Sequence, residues 1–342
     1  MTTIGIGLLG AGRIGSLHAA NIARHLPGAR LVAVADAHLP AAEACAAVVP
    51  GVEVAASVGA IFARRDIDAV LVCTSTDTHA GLIALAAAAG KHVFCEKPIA
   101  LDLAEIDGAL AAVDRAGVTL QVGFNRRFDP TFARVRRAIA DGEIGRPELL
   151  HIVSRDPAPP PLDYIRRSGG LFIDMAIHDF DMARFLLSDE VESVHATGAV
   201  LVDPAIGEAG DIDSAVTVLR FRGGAIGTIQ NSRRATYGYD QRVDVLGSLG
   251  AVTTGNVFAN QATVSDAAGI RRDPPLHFFL ERYQESFVAE LTAFVEAIQT
   301  GGPPPVTGAD GRAPVVLALA ASRSLAEGRP VLTSEIEATG QG

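Results

Sequence analysis

Residues 4–26 read IGIGLLGAGRIGSLHAANIARHL, with Gly10, Gly12 and Gly15 in G-x-G-x-x-G spacing. An apolar run precedes the glycines and a helical pattern follows, with Arg13 and Ile14 between the last two. In that position the first glycine permits a tight turn, the second lets backbone approach a pyrophosphate, and the third lets helix pack on strand. Amides exposed at the helix start attract the anion. A second apolar run, LVAVAD, ends in Asp36, about twenty residues on, where a carboxylate can accept hydrogen bonds from the adenosine ribose hydroxyls. Its charge opposes the 2′-phosphate of NADP, and Ala37, His38 and Leu39 supply no arginine, so NAD is the expected cofactor. The competing reading leaves Asp36 as a helix cap or a solvated side chain.

Up to residue 94 short apolar runs (IGIGLL, LVAVAD, AVLVCT, HVFC) alternate with alanine-rich segments of helical period. This is the βαβ pattern of a parallel sheet covered on both faces. TLQVGF at 119–124 adds one more strand. The fold class is therefore α/β: a doubly wound parallel sheet over residues 1–122, then a second domain of α+β type over 123–342. That second half shows helices at about 130–140 and 174–187 and a strand at 148–153. The loop DPAPPP follows that strand, and its three consecutive prolines forbid a ladder. Alternating patterns at 191–202, 214–221, 225–232 and 241–246 predict a mainly antiparallel sheet. Two helices, about 283–299 and 310–327, close the chain, with Gly328 as C-cap. A length of 342 residues fits two domains.

Lysine and arginine number 29 against 39 aspartate and glutamate, the wrong balance for a surface that tracks phosphates, so nucleic acid is not an expected partner. Cys45, Cys73 and Cys95 lie in apolar contexts without the spacing of a disulfide scaffold or a zinc site. This points to a cytoplasmic protein and to no metal. The longest small-apolar stretch, residues 80–90, is far short of the roughly 20 residues of a membrane span. The N-terminus lacks the basic region of a signal peptide.

Candidate chemistry gathers at strand ends. The fourth strand runs into Thr74, Ser75, Thr76 and His79, at the carboxyl edge where open α/β sheets bind ligands. An N-cap and first-turn role for the same residues is the alternative. The fifth ends in Glu96-Lys97-Pro98, a rigid turn that aims a cation at the nicotinamide, or else an ordinary surface turn. In GGLFIDMAIHDFDMARFLL, Asp174 and His178 stand four apart on a predicted amphipathic helix, so both project from one face. An imidazole oriented by a carboxylate is a usable proton acceptor near neutral pH; a solvated pair is the plainer reading.

These residues resemble the glucose-fructose oxidoreductase and inositol dehydrogenase (Gfo/Idh/MocA) superfamily along essentially the whole chain. The resemblance is carried by the glycine fingerprint, the EKP at 96–98, the D-x-x-x-H-D at 174–179 and DGRAPVVLALAASRS at 310–324. VGFNRRFDP, SRDPAPPP and RRATYGYDQR look more narrowly like inositol 2-dehydrogenases. The resemblance implies an N-terminal Rossmann domain and a C-terminal domain with a large open sheet whose face makes dimers or tetramers. It makes Lys97, Asp174 and His178 the catalytic set and places Arg126, Arg127 and Tyr237 among polyol-binding positions. Some inositol dehydrogenases carry His and Asn near the segment that here reads Ser154-Arg155-Asp156, and Arg155 is the substitute contact. Gly10, Gly12, Arg13, Ile14, Gly15, Asp36, Thr74, Ser75, Thr76, His79, Glu96 and Lys97 would hold NAD.

The implied reaction is oxidation of a secondary ring hydroxyl of myo-inositol, part of inositol catabolism, in a homo-oligomer. His178 takes the proton while Lys97 stabilises the alkoxide, or Lys97 itself relays the proton. Another polyol or an aldose, a glycosidase working through transient oxidation, and a nucleotide-sensing regulator are the competing readings. A sensor has no need of Lys97, Asp174 and His178 together.

Overall fold

The computed structural model describes residues 2–339, and the chain divides into two compact units. The first holds residues 1–128 and 285–315, the second 129–284 and 316–342.

In the first unit six strands, β1 (Ile4–Leu9), β2 (Ala29–Ala35), β3 (Glu53–Val54), β4 (Ala69–Val72), β5 (His92–Glu96) and β6 (Leu120–Gly123), form one sheet in the order β3-β2-β1-β4-β5-β6. Every pairing is parallel. The order reverses at β1, which puts the carboxyl ends of β1 and β4 side by side at the switch point. β1 and β4 are buried at every position, as strands covered on both faces must be, and the continuous apolar runs in the sequence reflect this.

In the second unit β7 (Pro147–Arg155), β8 (Val191–Ala199), β9 (Ser214–Phe221), β10 (Ile226–Ser232), β11 (Asp240–Gly247), β12 (Gly250–Thr253) and β15 (Val331–Leu332) order as β12-β11-β7-β10-β9-β8-β15. Only β7 and β10 run parallel; the other pairs are antiparallel. β9 alternates strictly between buried and outward residues, the mark of a sheet with one face packed. A separate ribbon pairs β13 (Thr263–Asp266) with β14 (Gly269–Arg272).

The compact units are not two consecutive stretches like the expected 1–122 and 123–342: the first unit runs to Phe128 and takes back 285–315. The cause is the helix Gln284–Thr300, whose Leu291, Phe294 and Val295 join the core built on Ile4, Leu8 and Phe94. The helix expected over 174–187 is two helices, Gly170–Asp174 and Ile177–Leu187. Between them the amides of both Met175 and Ala176 return to the Leu171 carbonyl, so the ladder does not run through and Asp174 and His178 do not share one continuous helical face.

Candidate active site

In the first unit the glycine loop follows β1 directly. Gly10 has φ +93°, which favours glycine, and a Cβ on Gly15 would lie 2.0 Å from the Gly10 carbonyl oxygen. Helix Arg13–His25 can therefore pack against the turn only through glycine. A Cβ on Gly12, the N-cap, would meet nothing within 4 Å. A bare helix start beside open space is what a pyrophosphate requires, so the residues present fit a dinucleotide. Arg13 is exposed and Ile14 half-buried beside it.

The Asp36 carboxylate accepts hydrogen bonds from the amides of Ala11 at 2.7 Å and His38 at 2.7 Å. It ties the end of β2 to the glycine loop, a role neither reading of the sequence included. At the end of β4, Thr74 and Thr78 share a hydroxyl contact of 2.6 Å, and Ser75 caps helix Thr76–Ala88 without a side-chain bond. His79 is buried, with Nδ1 2.8 Å from the Pro98 carbonyl and Nε2 3.1 Å from that of Thr74. The ring thus lies between the end of β4 and the turn after β5, and in the neutral imidazole one of these two carbonyls accepts its single N–H. Glu96, expected on the cofactor, turns inward: its Oε1 lies 2.7 Å from His18 Nε2. Lys97 follows at the strand end, half-buried, and the Lys97–Pro98 peptide is cis.

Arg126 is buried in the turn Asn125–Phe128. Arg127 pairs with Asp310 at 3.0 Å. Burial would raise that carboxyl, but the Arg127 charge and the Thr307 hydrogen bonds outweigh it and hold it below its ordinary value. Arg127 thus has a structural partner inside its own unit.

In the second unit Asp174 ends helix Gly170–Asp174. Gly170, at φ +80°, starts that helix; a Cβ there would come within 2.9 Å of Asp211 Oδ1. The Asp174 carboxylate accepts from Tyr164 Oη at 2.8 Å and from the Arg233 guanidinium at 3.1 Å. Arg233 is 1% exposed and reaches Asp211 at 3.5 Å as well. Asp211 in turn accepts from the amide of Leu171. One buried cation therefore sets the carboxylate that the sequence assigned to His178. His178, half-buried, opens helix Ile177–Leu187. Tyr164 and Arg233 were not singled out from sequence, although Arg233 stands in RRATYGYDQR; the pairing is tertiary and only the motif could have suggested it.

Arg155 and Tyr237 do come together. Tyr237 accepts from Arg155 at 2.8 Å and donates to Asp240 at 2.6 Å, while Arg155 also donates to Gln230 and Asp240. Asp240 is 1% exposed and takes further bonds from Arg242 and Asn256. Burial alone would raise the Asp240 carboxyl; the bonds from Arg242, Tyr237 and Asn256 bring it below its ordinary value. Burial, then the bond to Asp240, pushes the Tyr237 phenol up. Arg155 and Tyr237 line an open groove of about 580 Å³ on β7, β8, β9 and β10. Asp174 and His178 do not line it, so the two sets of expected substrate residues occupy different parts of the second unit.

Two family models match the chain: an oxidoreductase family with an NAD-binding Rossmann fold over residues 4–124, and the GFO/IDH/MocA C-terminal domain over 132–253. An inositol 2-dehydrogenase of Rhizobium meliloti is 53% identical over 330 residues, 96% of this chain and 99% of that protein. A myo-inositol 2-dehydrogenase of Thermotoga maritima is 48% identical over 340 residues, 97% and 99% of the two chains. The crystal structure of a scyllo-inositol dehydrogenase from Lactobacillus casei, with bound NAD(H) and scyllo-inositol, is 30% identical and superposes with a TM-score of 0.91. It covers 97% of this chain and 100% of its own. With the glycine loop, the strand order and both family matches in agreement, the chain belongs to the Gfo/Idh/MocA family of NAD-binding oxidoreductases.

Proposed function

We propose that this protein oxidises a secondary ring hydroxyl of myo-inositol to the 2-keto-inositol with NAD. The observation that carries the reading is an inositol 2-dehydrogenase more than half identical along nearly all of both chains. Bound NAD supplies the hydride acceptor. The glycine loop of residues 10–15 would hold its pyrophosphate, with Asp36 on the adenosine ribose side, and Thr74, Ser75, Thr76, Glu96 and Lys97 stand at strand ends on the same sheet.

His178 accepts the proton of the reacting hydroxyl, or Lys97 relays it. As an ammonium, Lys97 stabilises charge developing on that oxygen. Asp174, held at 3.1 Å by the Arg233 guanidinium, is the carboxylate proposed to orient the His178 imidazole. Arg126, Arg155 and Tyr237 are the proposed hydroxyl contacts. Arg127 has a weaker claim, because Asp310 already takes its charge.

We further infer a cytoplasmic homo-oligomer active in inositol catabolism. Cys45, Cys73 and Cys95 are all free, in keeping with a reducing compartment. Among the described residues no helix is long and apolar enough to cross a membrane. Leu246, Leu149 and Ile226 are adjacent in register on three neighbouring strands, and all three are exposed. Such an apolar row on an open sheet supports association of copies through that face. Its check is the mass in solution of wild type and of Leu149→Lys.

The deciding experiment follows NADH absorbance across myo-, scyllo- and D-chiro-inositol, glucose and a glycoside. Release of NADH with myo-inositol at the highest kcat/KM is the expected result. Preference for an aldose, or product from the glycoside without net NADH, would replace this reading with one of its competitors.

A further inference from the structure

Three ionisable side chains meet inside the first unit, from three elements: His18 on helix Arg13–His25, Glu96 at the end of β5, and Glu290 on helix Gln284–Thr300. One ligating atom of each lies within 4.8 Å of the others. His18 and Glu290 are 0% exposed. Edges of Phe94 and Phe287 pack on the His18 ring. His18 Nε2 bonds Glu96 at 2.7 Å, whereas both carboxyl oxygens of Glu290 are sealed from solvent with no hydrogen-bond partner.

Two carboxylates this close in apolar surroundings cannot both be ionised. The one basic group among them, His18, is taken by Glu96. A metal ion is a poor fit, because bound between these ligands it would hold nitrogen and oxygen about 3 Å or more apart, and the pair is closer than that. The remaining way to neutralise the second carboxyl is a proton.

We propose that His18, Glu96 and Glu290 form one buried proton-sharing cluster in which Glu290 is a neutral carboxylic acid, making Glu290 a positioning residue that acts through Glu96 on Lys97. The cluster links the helix that follows the glycine loop to the strand end from which Lys97 projects. Burial and then the Glu96 charge move the Glu290 carboxyl well above the carboxylate range. The other ionisable groups around it, Cys73 after β4 and Cys95 on β5, are thiols that burial pushes up and leaves uncharged. Ionising Glu290 would therefore repel Glu96, and the one base in the cluster, His18, is already engaged by Glu96.

This rests on the role assigned above to Lys97, and the test separates the two. The full-length protein is compared with Glu290→Gln and Glu290→Ala, by infrared difference spectra, NADH affinity and the pH profile of kcat. Expected is a carboxylic-acid C=O band at neutral pH, present in wild type and absent from Glu290→Gln. Glu290→Ala should lower kcat by about tenfold to a hundredfold, as a displaced catalytic group does, with NADH affinity within about twofold. Glu290→Gln should restore kcat at neutral pH and hold it to higher pH than wild type. Absence of the band, a Glu290→Gln variant as slow as Glu290→Ala, or a stoichiometric divalent ion in the purified protein would overturn the proposal. If Glu290→Ala does not fold, the band and the Glu290→Gln profile still decide. Should wild type oxidise no inositol, the functional reading fails while the band and the NADH affinity still judge the cluster.

Discussion

The Arg233 guanidinium donates to the Asp174 carboxylate at 3.1 Å from a position that is 1% exposed. A proposed catalytic carboxylate is thus held in place by a buried cation reaching it from just beyond β10.

Arg233→Ala should cost stability as well as rate, because it leaves Asp174 and Asp211 facing a space without a counter-charge. Removing one partner of a buried pair costs about 3–5 kcal/mol. A lower urea midpoint and a depressed kcat are expected together, and Arg233→Lys should recover little, since one ammonium cannot reproduce a fork shared by two carboxylates. Unchanged urea denaturation would show that the pair contributes nothing to the fold.

His178→Ala should reduce kcat by about a hundredfold or more, the usual scale of a lost general base, with NAD affinity unaffected. Lys97→Ala and Lys97→Arg should both fail, the second because it keeps charge but changes geometry. Single-turnover measurement of NADH formation separates these chemical defects from slow product release. A His178→Ala enzyme with near-normal turnover would remove the imidazole from the mechanism.

Asp36 braces the loop through the amide of Ala11, and in the proposed function its charge also opposes a 2′-phosphate. Asp36→Ala should therefore raise KM for NAD about tenfold or more and narrow the preference for NAD over NADP; steady-state kinetics with both cofactors measure it. A wild type with lower KM for NADP than for NAD would contradict the assignment.

Stability against pH reports on Glu290. Its carboxyl is raised in the folded protein, so its contribution is complete below the unfolded value of about 4.3 and is lost as pH rises through the folded value. Glu290→Gln has no charge to withhold. The variant should match wild type in acid and become the more stable of the two from about pH 5 upward, in thermal melts across that range. Melts that stay matched up to neutral pH, or a wild type that becomes the more stable of the two, would mean that Glu290 is ionised in the fold.

Local signals of the first unit were legible: Gly10 to Gly15 in spacing, Asp36 at a strand end and period-free apolar runs for buried strands all match the parallel sheet. The break at Met175 and Ala176 was not, because the apolar period continues across it and the interruption lies in which carbonyl the amides find. Nor could the sequence assign helix Gln284–Thr300 to the first sheet, since an amphipathic face does not name its partner. Glu290 did leave a trace. A carboxylate in AELTAFV, between Phe287, Leu291 and Phe294 on the buried side, contradicts the helical pattern around it, and such a contradiction marks a residue retained for something other than packing.

Because Leu291, Phe294 and Val295 complete the core begun at Ile4, the nucleotide-binding half is finished only after most of the 342 residues have been synthesised. A fragment ending at Phe128 would leave that apolar cluster open to water. A ribosome must hold the nascent sheet uncovered while nearly all of the other half is translated, so early chaperone capture should concentrate on the flank of β1 and β5 awaiting this late helix.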